Sequence, residues 1–312
     1  MEAETAPLYD SLVIGAGPAG LTAALQLARF NRRVMVFDPG GGRSSYHQVN
    51  HNYLGFPGGL KARELLELGR RQVREYPVAF CNDRVCDVSR EDGAFRAGTE
   101  GGSRFRGRTV VFATGVRDHF PLFPEWERYV GRSLFWCITC DGYSTRGKRI
   151  VVVGNDGHAG VTALQFLQFT HHVTMLTNDA ECRIEAPVRS ALEEQGVTLV
   201  VDRIVKVWGD DGILAQLSLE SGHELPLDFL FSLQGQSPNS ELARAIGVEV
   251  SHQGYILADQ DQQTNVPGVF AAGDVTRDLA HQVATAVHEG NTAAQAANYY
   301  LYADWQKHET YE

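Results

Sequence analysis

No stretch of this sequence approaches the roughly 18–20 consecutive apolar residues needed to cross a bilayer. Its apolar runs, such as 109–113 and 150–153, are strand-sized and end at glycine or polar residues. The first residues, Met1 to Thr5, are acidic and lack the basic region and apolar stretch of a secretory signal. Positive charge is in deficit: Lys+Arg 28 against Asp+Glu 38 gives a net charge of −10. That balance argues against non-specific nucleic-acid binding and attachment to an anionic membrane surface, because both reward positive charge. Five cysteines in 312 residues are too few for a disulfide framework. A soluble, reduced, cytoplasmic protein is expected. What is present is an ordinary globular mix, 43% apolar and 21% charged, which excludes a disordered chain. At roughly 150 residues per domain the length predicts about two domains, each able to bury a core.

The apolar run Leu12-Val13-Ile14 leads at once into Gly15-Ala16-Gly17-Pro18-Ala19-Gly20. A helical pattern follows (Leu21, Ala24, Leu25, Ala28), then a second run, Val34 to Phe37, closed by Asp38. Strand, glycine turn, helix, strand and acid within about 30 residues is the order of a dinucleotide-binding unit. The glycines let backbone amides approach a pyrophosphate at the helix N-terminus, and Asp38 can accept hydrogen bonds from a ribose diol. A second unit of the same shape begins at Ile150: a strand to Val153, a Gly-containing turn to Gly160, a helix to about Phe169 and a strand from Val173 to Leu176. Thr109 to Gly115 reads as a buried strand leaving the first domain, and Gln234 to Pro238 as the returning linker. Thr264 to Asp274 reads as a strand ending in Gly273-Asp274, with a helix from about His281.

The sharpest chemical signal is Trp136-Cys137-Ile138-Thr139-Cys140-Asp141-Gly142. Cysteines at i and i+3 can form a readily reduced small-loop disulfide, and one thiolate of such a pair is stabilised. Asp141 supplies a proton donor and acceptor beside the second sulfur. The residues alone leave half of a zinc site and inert thiols as alternatives, although a zinc site needs a second pair at ligand spacing. Cys81 and Cys86 are too loosely spaced to provide it and Cys182 is alone. These three are expected to be buried apolar side chains, and no metal site is expected.

Taken together, Gly15 to Gly20, the strand end Ala113-Thr114-Gly115, Cys137 to Gly142 and Val269 to Asp274 resemble the low-molecular-weight thioredoxin reductases, in family order and from about residue 9 to about 300. The resemblance implies an α/β fold with two Rossmann-like nucleotide-binding domains. An FAD domain, 1–117 and 236–312, would be interrupted by an NADPH-domain-like unit, 118–235, that carries the cysteine pair. It implies one FAD per chain: Gly15, Gly17 and Gly20 at the pyrophosphate, Asp38 at the adenosine ribose, Asn52 near the flavin and Asp274 at the ribityl chain. Thr114, Gly115 and Gly273 belong to the same motifs, and His281, Gln282 and Val283 match the stretch beside the isoalloxazine. Cys140 would face the flavin, Cys137 would attack a thioredoxin-like disulfide, and Asp141 would act as acid and base. Family members are usually homodimers.

The second nucleotide site departs from the family pattern. Aligned back from Gly160, the chain offers Asn155, Asp156 and Gly157 where Gly-x-Gly should stand. Asn155 puts a side chain where backbone must approach phosphate, and Asp156 adds negative charge or serves as a helix N-cap. At ~6 Å and an effective dielectric of ~20, two like charges repel by about 3 kcal/mol, enough to spoil micromolar binding. Thr177-Asn178-Asp179 follows the next strand, with no arginine cluster for a 2′-phosphate. NADPH is therefore not expected as the donor. Three neighbouring groups resemble such a case: ferredoxin-fed thioredoxin reductases, diflavin oxidoreductases with a second FAD in this domain, and dithiol oxidases reoxidised by oxygen. The last usually have His after the second Cys, and Asp141 sides with the reductases.

Two weaker features bear on partners. Arg63, Arg70 and Arg74 fall on one face of an expected helix, either as a solvated face or as a receiver for an acidic electron carrier. Tyr299, Tyr300, Tyr302, Trp305 and Tyr311 crowd the C-terminus, where rings could stack on a flavin, cover the second cleft or pack against a dimer partner.

Overall fold

The structure of the chain, a computed structural model, describes residues 7–46 and 48–308; Met1 to Thr5 and Tyr311 lie outside them. The chain divides into two compact units. The first holds the described residues up to Ser45, then Leu60–Arg117, then those from Ser237 onward; the second holds Tyr46–Gly59 and Asp118–Gln236.

The first unit opens with β1 (Leu8–Ile14), α1 (Pro18–Arg29) and β2 (Val34–Phe37). The short strand β3 (Val49–Asn50) lies on the segment that groups with the second unit, while β4 (Leu60–Lys61) leads into α2 (Ala62–Arg74). Then come β5 (Ala79–Cys81), β6 (Val85–Glu91), β7 (Ala94–Thr99) and β8 (Arg104–Phe112). The main sheet runs β5-β2-β1-β8-β7-β6. Its β5, β2, β1 and β8 are parallel, whereas β6 and β7 continue it as an antiparallel meander. Strand pairing explains why the apolar runs here look continuous rather than alternating. Val13, Val36 and Val111 point into one core with the helices; Leu12, Ile14, Phe37 and Phe112 point into a second core on the other face. A parallel sheet covered on both faces needs apolar residues at every position.

The chain leaves through β9 (Val116–Asp118). The second unit contains β10 (Leu134–Phe135), α3 (Ile138–Asp141), β11 (Ile150–Val153), α4 (Gly157–Gln165), β12 (Val173–Leu176), α5 (Ala186–Glu194) and β13 (Thr198–Val200). An antiparallel sheet of β14 (Ile204–Asp210), β15 (Ile213–Leu219) and β16 (Glu224–Pro226) follows, then β17 (Phe229–Ser232). The parallel sheet β10-β17-β11-β12-β13 again sorts its side chains by parity. Val151 and Val153 face one core, Ile150 and Val152 the other.

The chain returns through β18 (Gln236–Pro238), which pairs with β9, to α6 (Glu241–Ala245), β19 (Val269–Ala271) and α7 (Val283–Leu301). β19 adds in parallel to β8 beyond the reach of β7, so β8 has β1 on one side and two successive neighbours on the other. Only three residues of the expected 264–274 strand are extended in the ladder. α7 lies on α1 through Ala293, Ala294 and Ala297 against Ala23 and Ala24, all fully buried. Among the described residues no helix is long and apolar enough to cross a membrane.

Two expectations need correction. None of the unpaired cysteines is fully buried: Cys81 and Cys182 are half-buried, and Cys86 is exposed on the outer face of β6. Arg70 does not belong to a solvated face with Arg63 and Arg74; it turns to Asp38. Of the described C-terminal aromatics, Tyr300 lies edge-on against Phe270 and Tyr302 under the Arg32 guanidinium, while Trp305 is exposed.

Candidate active site

The turn between β1 and α1 is built for close approach. Gly15 has φ +106°, and a side chain there would strike the Ala113 carbonyl; one at Gly20 would strike the Gly15 carbonyl. Gly17 differs, because a Cβ there would meet nothing within 4 Å. The turn is therefore tight on its inner side and open at the helix start. Pro18 begins α1, and among the described residues no side chain caps it. Uncapped first-turn amides at a helix N-terminus bind a pyrophosphate.

Asp38 directly follows β2, accepts the Gly40 N–H at 3.2 Å and pairs with Arg70 of α2. Asp274 lies just beyond β19, with Oδ2 2.8 Å from Nη1 of Arg43. Each motif carboxylate thus has an arginine partner that sequence reasoning missed, since neither pairing is local. Gly273 has φ +83°, and a Cβ there would come within 2.9 Å of the Ala19 Cβ, so the turn before Asp274 packs on the first turn of α1. The Thr114 hydroxyl donates to the Asn239 carbonyl at 2.6 Å, and Asn239 donates back to the Thr114 carbonyl at 2.9 Å and to that of Gly115 at 3.0 Å. Thr114 and Gly115 therefore join the β8 exit to the returning chain. His281 donates through Nε2 to the Arg277 carbonyl at 2.6 Å; Gln282 is the N-cap of α7 and Val283 its first residue. The structure thus brings Gly15, Gly17, Gly20, Asp38, Gly273, Asp274 and the start of α7 into one unit. Asn52 lies on the segment 46–59, which groups with the second unit.

The cysteine pair also lies in the second unit. Cys137 and Cys140 form a disulfide, with Cα atoms 5.3 Å apart. Cys137 is the N-cap of α3, and its Sγ accepts the Cys140 N–H at 3.1 Å. Both sulfur-bearing residues are half-buried and Asp141 is buried. A groove lined by Ile138, Thr139, Gln165, Gln168 and Phe169 opens beside the pair.

The second strand-turn-helix unit is one residue out of the register expected from Gly160. β11 ends at Val153, as β1 ends at Ile14, so Gly154 corresponds to Gly15; a Cβ there would meet the Leu233 carbonyl at 2.6 Å. The N-cap position held by Gly17 in α1 is held in α4 by Asp156, whose Oδ1 accepts the Ala159 N–H at 2.8 Å. The Glu185 carboxylate stands 2.6 Å from where a Cβ of Gly157 would be. Asn155 does not project into a cradle. Its Oδ1 accepts the Arg183 N–H at 2.7 Å and its Nδ2 donates to the Glu181 carbonyl at 2.8 Å, tying the turn to the loop after β12. Arg183 and Arg203, the nearby cations that sequence reasoning overlooked, both pair with Asp179 at 3.4 and 3.5 Å. The Ala180 N–H is the main group holding the Asp179 carboxyl below the usual range, with the arginines adding to it.

The profile of the pyridine nucleotide-disulphide oxidoreductase family matches residues 9–290. The thioredoxin reductase of Coxiella burnetii is 31% identical over 95% of this chain and 97% of its own length. The chain belongs to this family, as a thioredoxin-reductase-type member. Among solved structures, the thioredoxin reductase from Streptococcus pyogenes MGAS5005 is similar at a TM-score of 0.88 with 26% identity, covering 94% of this chain and 98% of that one. An atypical thioredoxin reductase from Desulfovibrio vulgaris Hildenborough is 35% identical, covering 94% and 97%, at a TM-score of 0.53. The chain is thus an FAD disulfide oxidoreductase. The residues fit FAD: the open Gly17 position and uncapped α1 match a pyrophosphate, and the Asp38 and Asp274 carboxylates lie just beyond β2 and β19 of the same unit.

Proposed function

We propose that this enzyme moves electrons between FAD, the Cys137–Cys140 pair and an external disulfide without drawing on NADPH. The observation that carries the proposal is the start of α4. There Asp156 occupies the Ala159 amide and Glu185 stands over Gly157, where a dinucleotide phosphate needs amides and positive charge. The same carboxylates oppose the pyrophosphate of a second FAD, so one FAD per chain is favoured over a diflavin enzyme.

FAD, when bound, supplies a two-electron carrier for thiol/disulfide chemistry. In this reading Gly15, Gly17 and Gly20 receive its pyrophosphate, Asp38 the adenosine ribose and Asp274 the ribityl chain. Thr114, Gly115 and Gly273 shape the cradle, and Asn52, His281, Gln282 and Val283 border the ring system. In the reduced pair, the Cys140 N–H favours the Cys137 thiolate. That thiolate attacks the partner disulfide, forming a mixed disulfide and expelling one partner thiolate. Cys140, deprotonated, then attacks the Cys137 sulfur, which re-forms the internal disulfide and releases the second partner thiolate. Asp141 takes up and returns the proton. The groove beside the pair, with Ile138 and Phe169, receives the apolar surroundings of the partner disulfide, whether on a thioredoxin-like protein or on a small dithiol. Ferredoxin is the electron donor in the reductive direction; oxygen as acceptor from a small dithiol is the opposite direction of the same exchange. A cytoplasmic homodimer completes the proposal, on the strength of the family resemblance.

The test is flavin release under denaturation followed by anaerobic rapid mixing with stoichiometric NADPH or reduced ferredoxin. One FAD per chain, bleached by ferredoxin and not by NADPH, is expected. Rapid bleaching by NADPH would end the proposal, and two FAD per chain would replace it with the diflavin alternative.

A further inference from the structure

α7 is rich in alanine, and its inward stripe of Ala286, Gly290, Ala293, Ala294 and Ala297 is interrupted by one carboxylate, Glu289, which is 0% exposed. Burying a carboxylate costs several kcal/mol unless it is paired and hydrogen-bonded, so its partners indicate what it is for. One oxygen accepts the Gly273 N–H at 2.6 Å and the Thr276 hydroxyl at 3.2 Å; the other pairs with Arg277. All three belong to the turn that follows β19 and contains Asp274. The neighbouring residue, Gly290, lies so close to α1 that a side chain there would strike the Ala19 carbonyl. Ala19 is in the first turn of α1, and it also touches the position of a Gly273 Cβ. Glu289 therefore stands where the pyrophosphate helix, the Asp274 turn and α7 converge.

We infer that Glu289 is a positioning residue for FAD: by holding Gly273, Thr276 and Arg277 together it fixes the turn that presents Asp274 to the cofactor. This rests on the reading that the first unit holds FAD. A carboxylate is suited to the task because one group can satisfy a backbone donor, a hydroxyl and a guanidinium at once. Alanine would continue the stripe but leave the Gly273 amide unpaired, and the turn would then be free to move away from Arg43 and α1.

The test compares purified wild-type holoprotein with Glu289→Ala and Glu289→Gln. FAD dissociation is followed on dilution by the rise in flavin fluorescence, and thermal melting is measured at saturating FAD. A hydrogen bond to a charged acceptor is worth roughly tenfold to hundredfold in an equilibrium constant. Glu289→Ala is expected to weaken FAD by that factor, and Glu289→Gln, which keeps an oxygen for Gly273 but not the charge for Arg277, by less. Glu289→Gln is nearly isosteric and keeps the test alive if Glu289→Ala does not fold. A lowered melting temperature with unchanged FAD affinity in the variants would make the role structural and overturn the inference. Wild-type protein that binds no FAD would overturn both this inference and the reading beneath it.

Discussion

Asp156→Gly converts the start of α4 into a copy of the start of α1, and the consequence can be worked from the structure. Asp156 now holds the Ala159 N–H at 2.8 Å, an amide that a phosphate oxygen would otherwise take. A bound phosphate would sit near the removed carboxylate; at ~6 Å and an effective dielectric of ~20 their repulsion is about 3 kcal/mol. Both Asp156 and Glu185 are exposed, so salt reduces that value. The expected gain in NADPH affinity is therefore roughly tenfold to hundredfold in low salt, and it should shrink as salt is raised. Replacing an Asp N-cap by Gly costs only a few tenths of a kcal/mol, so the fold should survive. Adding Glu185→Gln should tighten binding further. The assay is titration of reduced nicotinamide fluorescence in low and high salt. The reasoning is refuted if wild type already binds NADPH at micromolar concentration, or if neither variant binds more tightly than wild type.

Further outcomes are expected at the other sites. Cys140→Ser should accumulate a mixed disulfide with a thioredoxin-like partner, while Cys137→Ser should not; equal trapping on non-reducing gels would reverse or remove the role assignment. Gly290→Ala drives a methyl group into the Ala19 carbonyl and should destabilise the first unit by about 1–3 kcal/mol, seen as an earlier denaturant midpoint; an unchanged midpoint would contradict the close packing of α1 and α7. Burial raises the Glu289 pKa, against the lowering pull of the Gly273 N–H and Arg277, with the charge of Asp274 adding to the rise. The folded state then binds this proton more readily than the unfolded chain. Its contribution to stability is present at low pH and is lost as pH rises from the ordinary carboxylate range through the raised value. The melting temperature of wild type relative to Glu289→Gln should accordingly fall with rising pH, and a pH-independent difference would show that Glu289 does not titrate this way.

Much of the architecture was legible because periodicity reports burial. The runs Val34 to Phe37, Ile150 to Val153 and Val173 to Leu176 are strands with the same ends, since a strand buried on both faces has no polar position to blur it. The cysteine pair was legible because its geometry is local: three residues of separation suffice to bring the sulfurs together. The register of the second turn was not, because Gly160 looks like the last motif glycine until the helix start shows that Ala159 corresponds to Gly20. Arg43 with Asp274 and Arg70 with Asp38 are joined across 231 and 32 residues, and no spacing rule connects such pairs. Glu289 did leave a trace in the sequence, as one acid in the apolar stripe of an alanine-rich helix. Reading it needs the turn that it holds.

Two electrons passing between sulfur and flavin are the core of the account, and anaerobic titration with a small dithiol measures that passage directly. Flavin absorbance of the wild-type holoprotein should bleach as dithiol is added, whereas Cys140→Ser with its cofactor fully bound should stay yellow over the same additions. Equal bleaching of both proteins, or of neither, would mean that the cysteine pair and the flavin do not exchange electrons.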